Sequence, residues 1–386
     1  MIDFKPMDRG NFIMILIPLL ISVLLSGCGS GGESNEVLKV WDAENPGNQA
    51  ASSFGENESD EEGSAEYDLT KKIGMVTDIG GIDDASFNQS AWEGLTSLSE
   101  KTGVETVFEE TVGDKTFSEN FEKIISDGAT LCWGIGYASA DALLEESEKN
   151  PDVSFAVIDS SYPDTPDNVT GVTFRAQEPS FIVGYIAATA TKTGKIGFVG
   201  GVHGDIIDQF EYGYRSGVDY AVSVYGKPVE VDIEYTDSFS DEDKGKAIAK
   251  RMYSEGADIV FAAAGACGIG VIEAAKENGR FAIGVDRDQS DLAPDNVLTS
   301  AMKLVNVAIE RVSDSYLKNE EIGGKTLSFG LTEGAVGIPA DHENYRDEIY
   351  DAALVVEDMI ETGDLKPPAN EEEYKAFVKE MEDKNG

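Results

Sequence analysis

Short runs of consecutive apolar residues alternate with stretches of helical period along most of this chain, and that alternation restricts its fold more than any other feature. The run "IGMVTD" is apolar through its centre, the pattern of a strand buried on both faces; a half-exposed strand would place a polar residue at every second position. In "SFNQSAWEGLTSLSEKTG", directly after it, Trp92, Leu95 and Leu98 fall on one side, and Asp84 and Ser86 are available as N-caps. "GVETVFEE", "TLCWGIG" and "VSFAVID" read as further strands. The helices "FSENFEKIISDG", closed by Gly128, and "SADALLEESEKN" separate them. After the apolar helix "SFIVGYIAATATKTG" a second series begins: strands "KIGFVGG", "EVDIEYT", "DIVFAAAG" and "FAIGVD", with helices "FEYGYRSGVDYAVSVYG", "DEDKGKAIAKRMYSEG" and "IGVIEAAKENG" between them. "AMKLVNVAIERVSDSYLKN" reads as a long helix, "KTLSFGLTEGAVGI" as a crossing segment, and "NYRDEIYDAALVVEDMIETG" as an amphipathic helix. Such repetition builds parallel sheets covered by helices on both sides. The expected fold class is α/β. Two series of about five strands imply two doubly wound parallel-sheet lobes, one before Arg175 and one after.

The N-terminus reads as a targeting signal. Lys5 and Arg9 precede the apolar run "FIMILIPLLISVLL", which is short for a membrane span and suits the centre of a signal peptide. It leads into "LSGC" and "GSGG", the order of a bacterial-type lipobox, in which cleavage precedes the cysteine and Cys28 receives lipid; the alternative is an uncleaved signal anchor. The stretch from there to about residue 68, with Trp41 and Phe54 as its few large apolar residues, is Gly-, Ser-, Asn- and acid-rich without a period and reads as a disordered linker.

Charge narrows the partners. With 30 basic and 73 acidic residues the formal charge is -43, which argues against nucleic acid, since phosphate binding needs basic patches. Such a balance suits a saline external medium and equally ordinary surface solvation. Cys132 and Cys267 sit far apart in apolar or small-residue stretches. They read as buried free thiols, with a disulfide between them left open. No metal-ligand spacing and no cofactor motif occurs: "FVGGVHG" lacks the G-x-G-x-x-G spacing, and His203 and His342, the only histidines, lie in no Ser or Cys nucleophile motif. The chain reads as a binding protein rather than an enzyme, and as a monomer.

In open α/β sheets, ligands sit beyond the carboxyl ends of the strands, where helix N-termini point free N–H groups. The residues at those ends are Asp78, Gly80, Gly81, Phe87 and Asn88 after the first strand, Asp159 after "SFAVI", Gly200, Gly201 and then Phe210 after "KIGFV", Gly265 and Gly268 after "DIVFAAA", and Asp286 after "FAIGV". Lys303 is placed at the start of the long helix beyond it. Carboxylates accept hydrogen bonds from paired hydroxyls, an amide serves a heteroaromatic edge, and two aromatic faces suit a flat ring. The set fits a neutral ligand with a ring and hydroxyls better than a phosphate. Taken singly, each residue also fits a plainer role: a local cap for the aspartates, core packing for the phenylalanines, a surface ion pair for Asp286 and Lys303.

The stretch "IGMVTDIGGIDDASFNQSAWEGL" resembles the opening signature of the basic membrane protein family of lipoproteins, whose best understood members resemble a purine nucleoside receptor. The likeness continues through "FAVIDS", "NVTGVTFRAQEPSFIVGYIAA", "FEYGYRSGV", "AAAGACGIGVIEAAKENG" and "AIGVDRDQSDLAPDNVLTSAMK", over roughly 71 to 345. The resemblance implies the type I periplasmic-binding-protein fold, two α/β lobes joined by three crossover segments. It implies an N-terminal lobe of 71–174 plus about 301–328 and a C-terminal lobe of 175–300 plus about 329–386, after a signal peptide (1–27) and an acidic linker (28–70). It also implies a lipid-anchored protein on the outer face of the cell membrane that delivers ligand to an ATP-binding-cassette (ABC) permease, with no catalysis and no cofactor. The ligand contacts carried over are Asp78, Phe87, Asn88, Asp159, Phe210, Gly265, Asp286 and Lys303. Phe87 and Phe210 would stack on the base, Asn88 and Asp159 read its edge, and Asp78, Asp286 and Lys303 hold ribose hydroxyls. The alternatives are a receptor for another small ligand, such as a sugar or signalling molecule, and, less in keeping with the motifs, a nucleotide-cofactor enzyme. Two departures stand out: Gly265-Ala266-Cys267-Gly268 replaces the family's usual Gly-Gly-Thr/Ser-Gly, and "GGVHGDIIDQF" differs from its commonest loop. Both raise the expectation of an altered pocket wall.

Overall fold

The computed structural model describes residues 67–111 and 116–385. The signal peptide, Cys28, Trp41, Phe54 and nearly all of the expected linker lie outside the described residues. Two six-stranded sheets organise the rest. The first contains β1 (Lys72–Val76), β2 (Glu105–Glu109), β3 (Leu131–Gly134), β4 (Ser154–Ile158), β5 (Val169–Phe174) and β11 (Lys325–Phe329), in the order β11-β5-β4-β3-β1-β2, all parallel. The second contains β6 (Lys195–Gly200), β7 (Glu230–Tyr235), β8 (Ile259–Ala263), β9 (Phe281–Asp286), β10 (Val297–Lys303) and β12 (Val336–Gly337), in the order β12-β10-β9-β8-β6-β7. Within these two sheets only β12 runs antiparallel. The first five strands of each lobe thus repeat one doubly wound order, 2-1-3-4-5, with its switch point between the first and third strands.

Helices α1 (Phe87–Thr102), α2 (Phe117–Ser126), α3 (Ala140–Lys149) and α8 (Val305–Leu317) belong to the first lobe. The second lobe holds α4 (Gln177–Ala190), α5 (Asp205–Tyr225), α6 (Glu242–Ser254), α7 (Cys267–Asn278), α9 (Asp347–Glu361) and α10 (Glu371–Asn385). The inner strands are buried on both faces, every residue of β3, β8 and β10 being enclosed, whereas β2, β7 and β11 at sheet edges are partly exposed. In the second lobe α4 and α5 touch backbone to backbone, since a Cβ at Gly184 would fall 2.1 Å from the Tyr214 carbonyl oxygen.

The chain crosses between the sheets three times: after β5, after β10 and after β11. Arg175 ties two of these crossings together. Its Nε lies 2.6 Å from Glu178 Oε1 and its Nη2 2.5 Å from Glu333 Oε2, while Glu178 Oε2 accepts the N–H of Leu331. The end of the expected linker and the residue after it are packed on α8: the Tyr67 hydroxyl donates to Asp314, and the ammonium of Lys71 to the Tyr316 carbonyl.

Four strands differ from the reading of the sequence, and two of them, β11 and β12, fall within "KTLSFGLTEGAVGI", which read only as a crossing segment. "VTGVTF" and "VLTSAMK" form β5 and β10, where the sequence suggested no strand and a helix beginning at Ala301. Thr, Ser and Gly thin the apolar signal of both runs, and Ala, Met and Lys are good helix formers. Sheet pairing overrides that preference, so the helix starts only at Val305 and Lys303 ends a strand. That difference matters, because the end of a strand in this fold faces the cleft.

Candidate functional site

The carboxyl ends of both sheets look onto one cavity of about 340 Å³. All eight contacts implied by the resemblance line it, Asp78, Phe87, Asn88 and Asp159 from the first lobe and Phe210, Gly265, Asp286 and Lys303 from the second; of the other strand-end glycines Gly80 lines it, whereas Gly81, Gly200, Gly201 and Gly268 do not. The cavity lies where the fold leaves room, against the switch points. In the first lobe the Asp78 carboxylate abuts Gly136, where a Cβ would lie 2.8 Å from Asp78 Oδ2.

The turn before α1 explains why "DDASFN" stands where it does. The carboxylate of Asp84 accepts the backbone N–H groups of Ser86, Asn88 and Gln89 at 3.0, 2.8 and 3.1 Å, so Asp84 rather than Ser86 caps the helix. The Asn88 amide is fixed between neighbours: Oδ1 accepts from Asp78 N at 2.8 Å and Nδ2 donates to Asp84 Oδ2 at 3.0 Å. Capping therefore aims Phe87 and Asn88 into the cleft on a rigid first turn.

Two aspartates hold corresponding places in the two lobes. Asp159 comes directly after β4 with φ 62°, and Asp286 ends β9 with φ 66°. Left-handed backbone at a residue with a side chain costs on the order of 1–3 kcal/mol and persists where surroundings over-determine it. Here the surroundings are an ion pair and a hydrogen bond. Lys303 Nζ lies 2.6 Å from Asp159 Oδ2, with both side chains nearly enclosed, and Ser86 Oγ donates to Asp286 Oδ2 at 2.5 Å. Burial pushes the Asp286 carboxyl up to about 6, against the opposing pull of the Lys303 ammonium and the Ser86 hydroxyl. Burial also raises Asp78, partly offset by the Ile79 N–H that its carboxylate accepts, with Asp159 and Asp84 adding to the rise.

The aromatic faces converge on the same cation. Lys303 Nζ is 4.6 Å from the ring centre of Phe87, 5.4 Å from that of Phe174 and 5.9 Å from that of Phe210. Phe87 and Phe210, from opposite lobes, thus border one buried point. The resemblance gives Lys303 and Asp159 separate roles, whereas here the two side chains are paired with each other.

Several lining residues had escaped notice in the sequence: Tyr137 after β3, and Asp237, Ser238, Phe239 and Ser240 after β7. The rule that found the others, taking the residues just past each strand, reaches these too once β3 and β7 are included. Phe239 rests on backbone: a Cβ at Gly201 would fall 2.2 Å from its ring, and one at Gly265, with φ 55°, 3.0 Å from its carbonyl oxygen. The departure at Ala266 and Cys267 sits behind this wall. Neither residue lines the cavity, and Cys267 Sγ, fully buried, reaches the Ser238 carbonyl at 3.3 Å. Cys132 and Cys267 are both free and buried. Among the described residues no group of three or more His, Cys, Asp or Glu is placed to hold a metal, and no helix is long and apolar enough to cross a membrane.

A family model described as "ABC transporter substrate-binding protein PnrA-like" matches residues 71–371. The chain belongs to that family. Basic membrane protein B of Borreliella burgdorferi is 40% identical over 321 residues, spanning 80% of this chain and 91% of that protein. Basic membrane protein A of Borreliella afzelii is 41% identical over 315 residues, spanning 80% and 95%. The solved structure of ABC transporter system solute-binding proteins from Aeropyrum pernix K1 superposes with a TM-score of 0.72 at 25% identity, covering 82% of this chain and 98% of that one. The resemblance carried by "IGMVTDIGGIDDASFNQSAWEGL" therefore holds, as does the two-lobed α/β fold. Membership in the PnrA-like family implies a solute ligand and a permease partner; it is a family of substrate-binding proteins, not of enzymes.

Proposed function

We propose that the protein is a lipid-anchored receptor, tethered at Cys28 to the outer face of the cell membrane, that binds a nucleoside with a purine base between its lobes and presents it to an ABC permease. The observation that carries the reading is the placement of Phe87 and Phe210 on opposite lobes around one cavity, with Lys303 close to both rings. A planar base fits between two aromatic faces, where offset stacking adds to the burial of its surface. The carboxylates of Asp78, Asp286 and the Asp159–Lys303 unit suit the hydroxyls of a ribose. The lining carries five aspartates, Asp78, Asp84, Asp159, Asp237 and Asp286, against Lys303 as the only cation among the described lining residues. That balance disfavours a nucleotide, whose phosphate would meet uncompensated negative charge.

The test is a thermal-shift screen against nucleosides, free bases and sugars. A ligand at 100 times its dissociation constant should stabilise the protein by roughly 2.7 kcal/mol. Stabilisation by guanosine, inosine or adenosine, and much weaker binding in Phe87→Ala, is the expected result. Failure of all three nucleosides alongside success of a sugar would replace this reading by that of a sugar receptor. Labelling with radioactive palmitate, lost in Cys28→Ala, tests the anchor.

A further inference from the structure

Beyond the cavity wall, two polar contacts join one lobe to the other, and among their four residues only Asp286 lines the cavity. Ser86 Oγ donates to Asp286 Oδ2 across the cleft, and Gln289 Nε2 donates to the carbonyl of Ala85 at 3.0 Å. Ala85, Ser86 and Gln289 are absent from the cavity lining, while Ser86 and Gln289 are buried. Both halves of the contact are rigid on their own side. On the first lobe, Asp84 fixes the N–H of Ser86, and Ala85 is held at φ 50°, a conformation that a residue with a side chain seldom adopts. That strained turn presents the Ala85 carbonyl and leaves the Ser86 hydroxyl without a capping role. On the second lobe, Gln289 Oε1 accepts the N–H of Val285, its own N–H donates to Ser300 Oγ, and the missing side chain of Gly284 makes room for it, since a Cβ there would fall 2.7 Å from Gln289 Oε1.

We infer that Ser86 and Gln289 are positioning residues that latch the two lobes shut and set solute affinity through the population of the closed form. These bonds exist only when the lobes meet. With the lobes apart the same groups face water, so the bonds favour closure rather than folding of either lobe. A binding-competent fraction multiplies the intrinsic affinity, and whatever raises that fraction tightens binding; Gln289 does so through residues outside the cavity, whereas Ser86 also holds Asp286, which the proposed reading gives to the solute. The hydroxyl–carboxylate bond is charge-assisted and contributes more than the neutral amide–carbonyl bond. Its loss in Ser86→Ala is expected to lower the closed-to-open ratio roughly tenfold, and loss of the amide bond in Gln289→Met roughly fivefold.

The latch rests on the two-lobed reading but not on the identity of the solute, and its test separates the two. In the full chain with Cys28→Ala, spin labels on Glu100→Cys and Asp243→Cys, both exposed and on different lobes, report the inter-lobe distance while Cys132 and Cys267 stay buried. A short-distance population in the parent that falls in Ser86→Ala and Gln289→Met and returns in Ser86→Thr is expected. A parent without the short population, or a Ser86→Ala chain that keeps it while merely melting at lower temperature, overturns the proposal. Guanosine titration of the same chains should show a roughly tenfold weaker affinity for Ser86→Ala, carried by faster dissociation. If guanosine binds none of them, the nucleoside reading falls and the distance measurement still decides the latch.

Discussion

Replacing Lys303 by methionine removes the cation around which the cleft is arranged. The ammonium sits 2.6 Å from Asp159 Oδ2, with 3% and 7% of the two side chains exposed. Unit charges at that separation attract by about 6 kcal/mol at an effective dielectric near 20. The rings of Phe87, Phe174 and Phe210 add a cation–π contribution. Much of this offsets the desolvation of two ions, so the pair's net worth is small, but removal of one partner leaves the other charge enclosed and unpaired. Lys303→Met is therefore expected to cost about 3–5 kcal/mol, and Asp159→Asn a comparable amount. It should also raise the Asp286 carboxyl above about 6, because the ammonium is the chief influence opposing burial there. The double variant exchanges an ion pair for neutral groups and should recover much of the loss, giving a coupling of at least about 2 kcal/mol. Urea unfolding at pH 7 of the parent, both single variants and the double variant, analysed as a thermodynamic cycle, measures it. Single variants that each lose less than about 1 kcal/mol, as exposed pairs do, would refute the reasoning: the pair would then be open to water and the lobes not joined at this point.

Two further outcomes concern groups away from the aromatic faces. Glu357 on α9 is held up to about 7, first by burial and second by the neighbouring Glu361 carboxylate. The folded chain therefore holds a proton there that the unfolded chain releases near 4.5, so this contribution to stability is complete below pH 4.5, falls as the pH rises, and is gone above about 7. At 1.36 kcal/mol per pH unit the ceiling is about 3 kcal/mol, and partial contact of the side chain with water reduces the expected effect to about 1–2 kcal/mol. Glu357→Gln should thus gain in melting temperature over the parent at pH 8 and not at pH 4; an equal gain at both would exclude titration of Glu357 as the cause. Cys267→Ser keeps a donor for the Ser238 carbonyl and lies behind the cavity wall. Solute affinity should stay within about twofold and stability within about 1 kcal/mol, measured by titration and by melting. A large loss of affinity would place the thiol in contact with the solute.

Local pattern carried much of this protein. Apolar runs such as "KIGFVGG" and "FAIGVD" can be buried on both faces and little else, so the parallel sheets were legible from hydrophobic period alone, as was the rule that function gathers at strand ends. That rule groups Asp78, Asp159, Gly265 and Asp286 by their sequence positions alone, and these line the cavity, whereas Gly81, Gly200, Gly201 and Gly268, grouped by the same rule, do not. It fails where the local signal is thin. β5 and β10, with their Thr, Ser and Gly, were not legible as strands. Lys303 reads as helical because its immediate neighbours favour a helix, and Tyr137 and Phe239 lie past the ends of legible strands without any motif to mark them.

What the sequence determined by itself is the set of elements and the chemistry at their ends, because periodicity, capping and turn preference act over a few residues. What only the tertiary structure decided is which of those ends meet. Lys303 finds Asp159 across 144 residues and Ser86 finds Asp286 across 200, and neither pairing is specified by anything near either residue. Such contacts arise from sheet order and from three crossings that bring two lobes face to face. The energy that selects them comes from burial and charge shared between distant segments, and no local pattern records it.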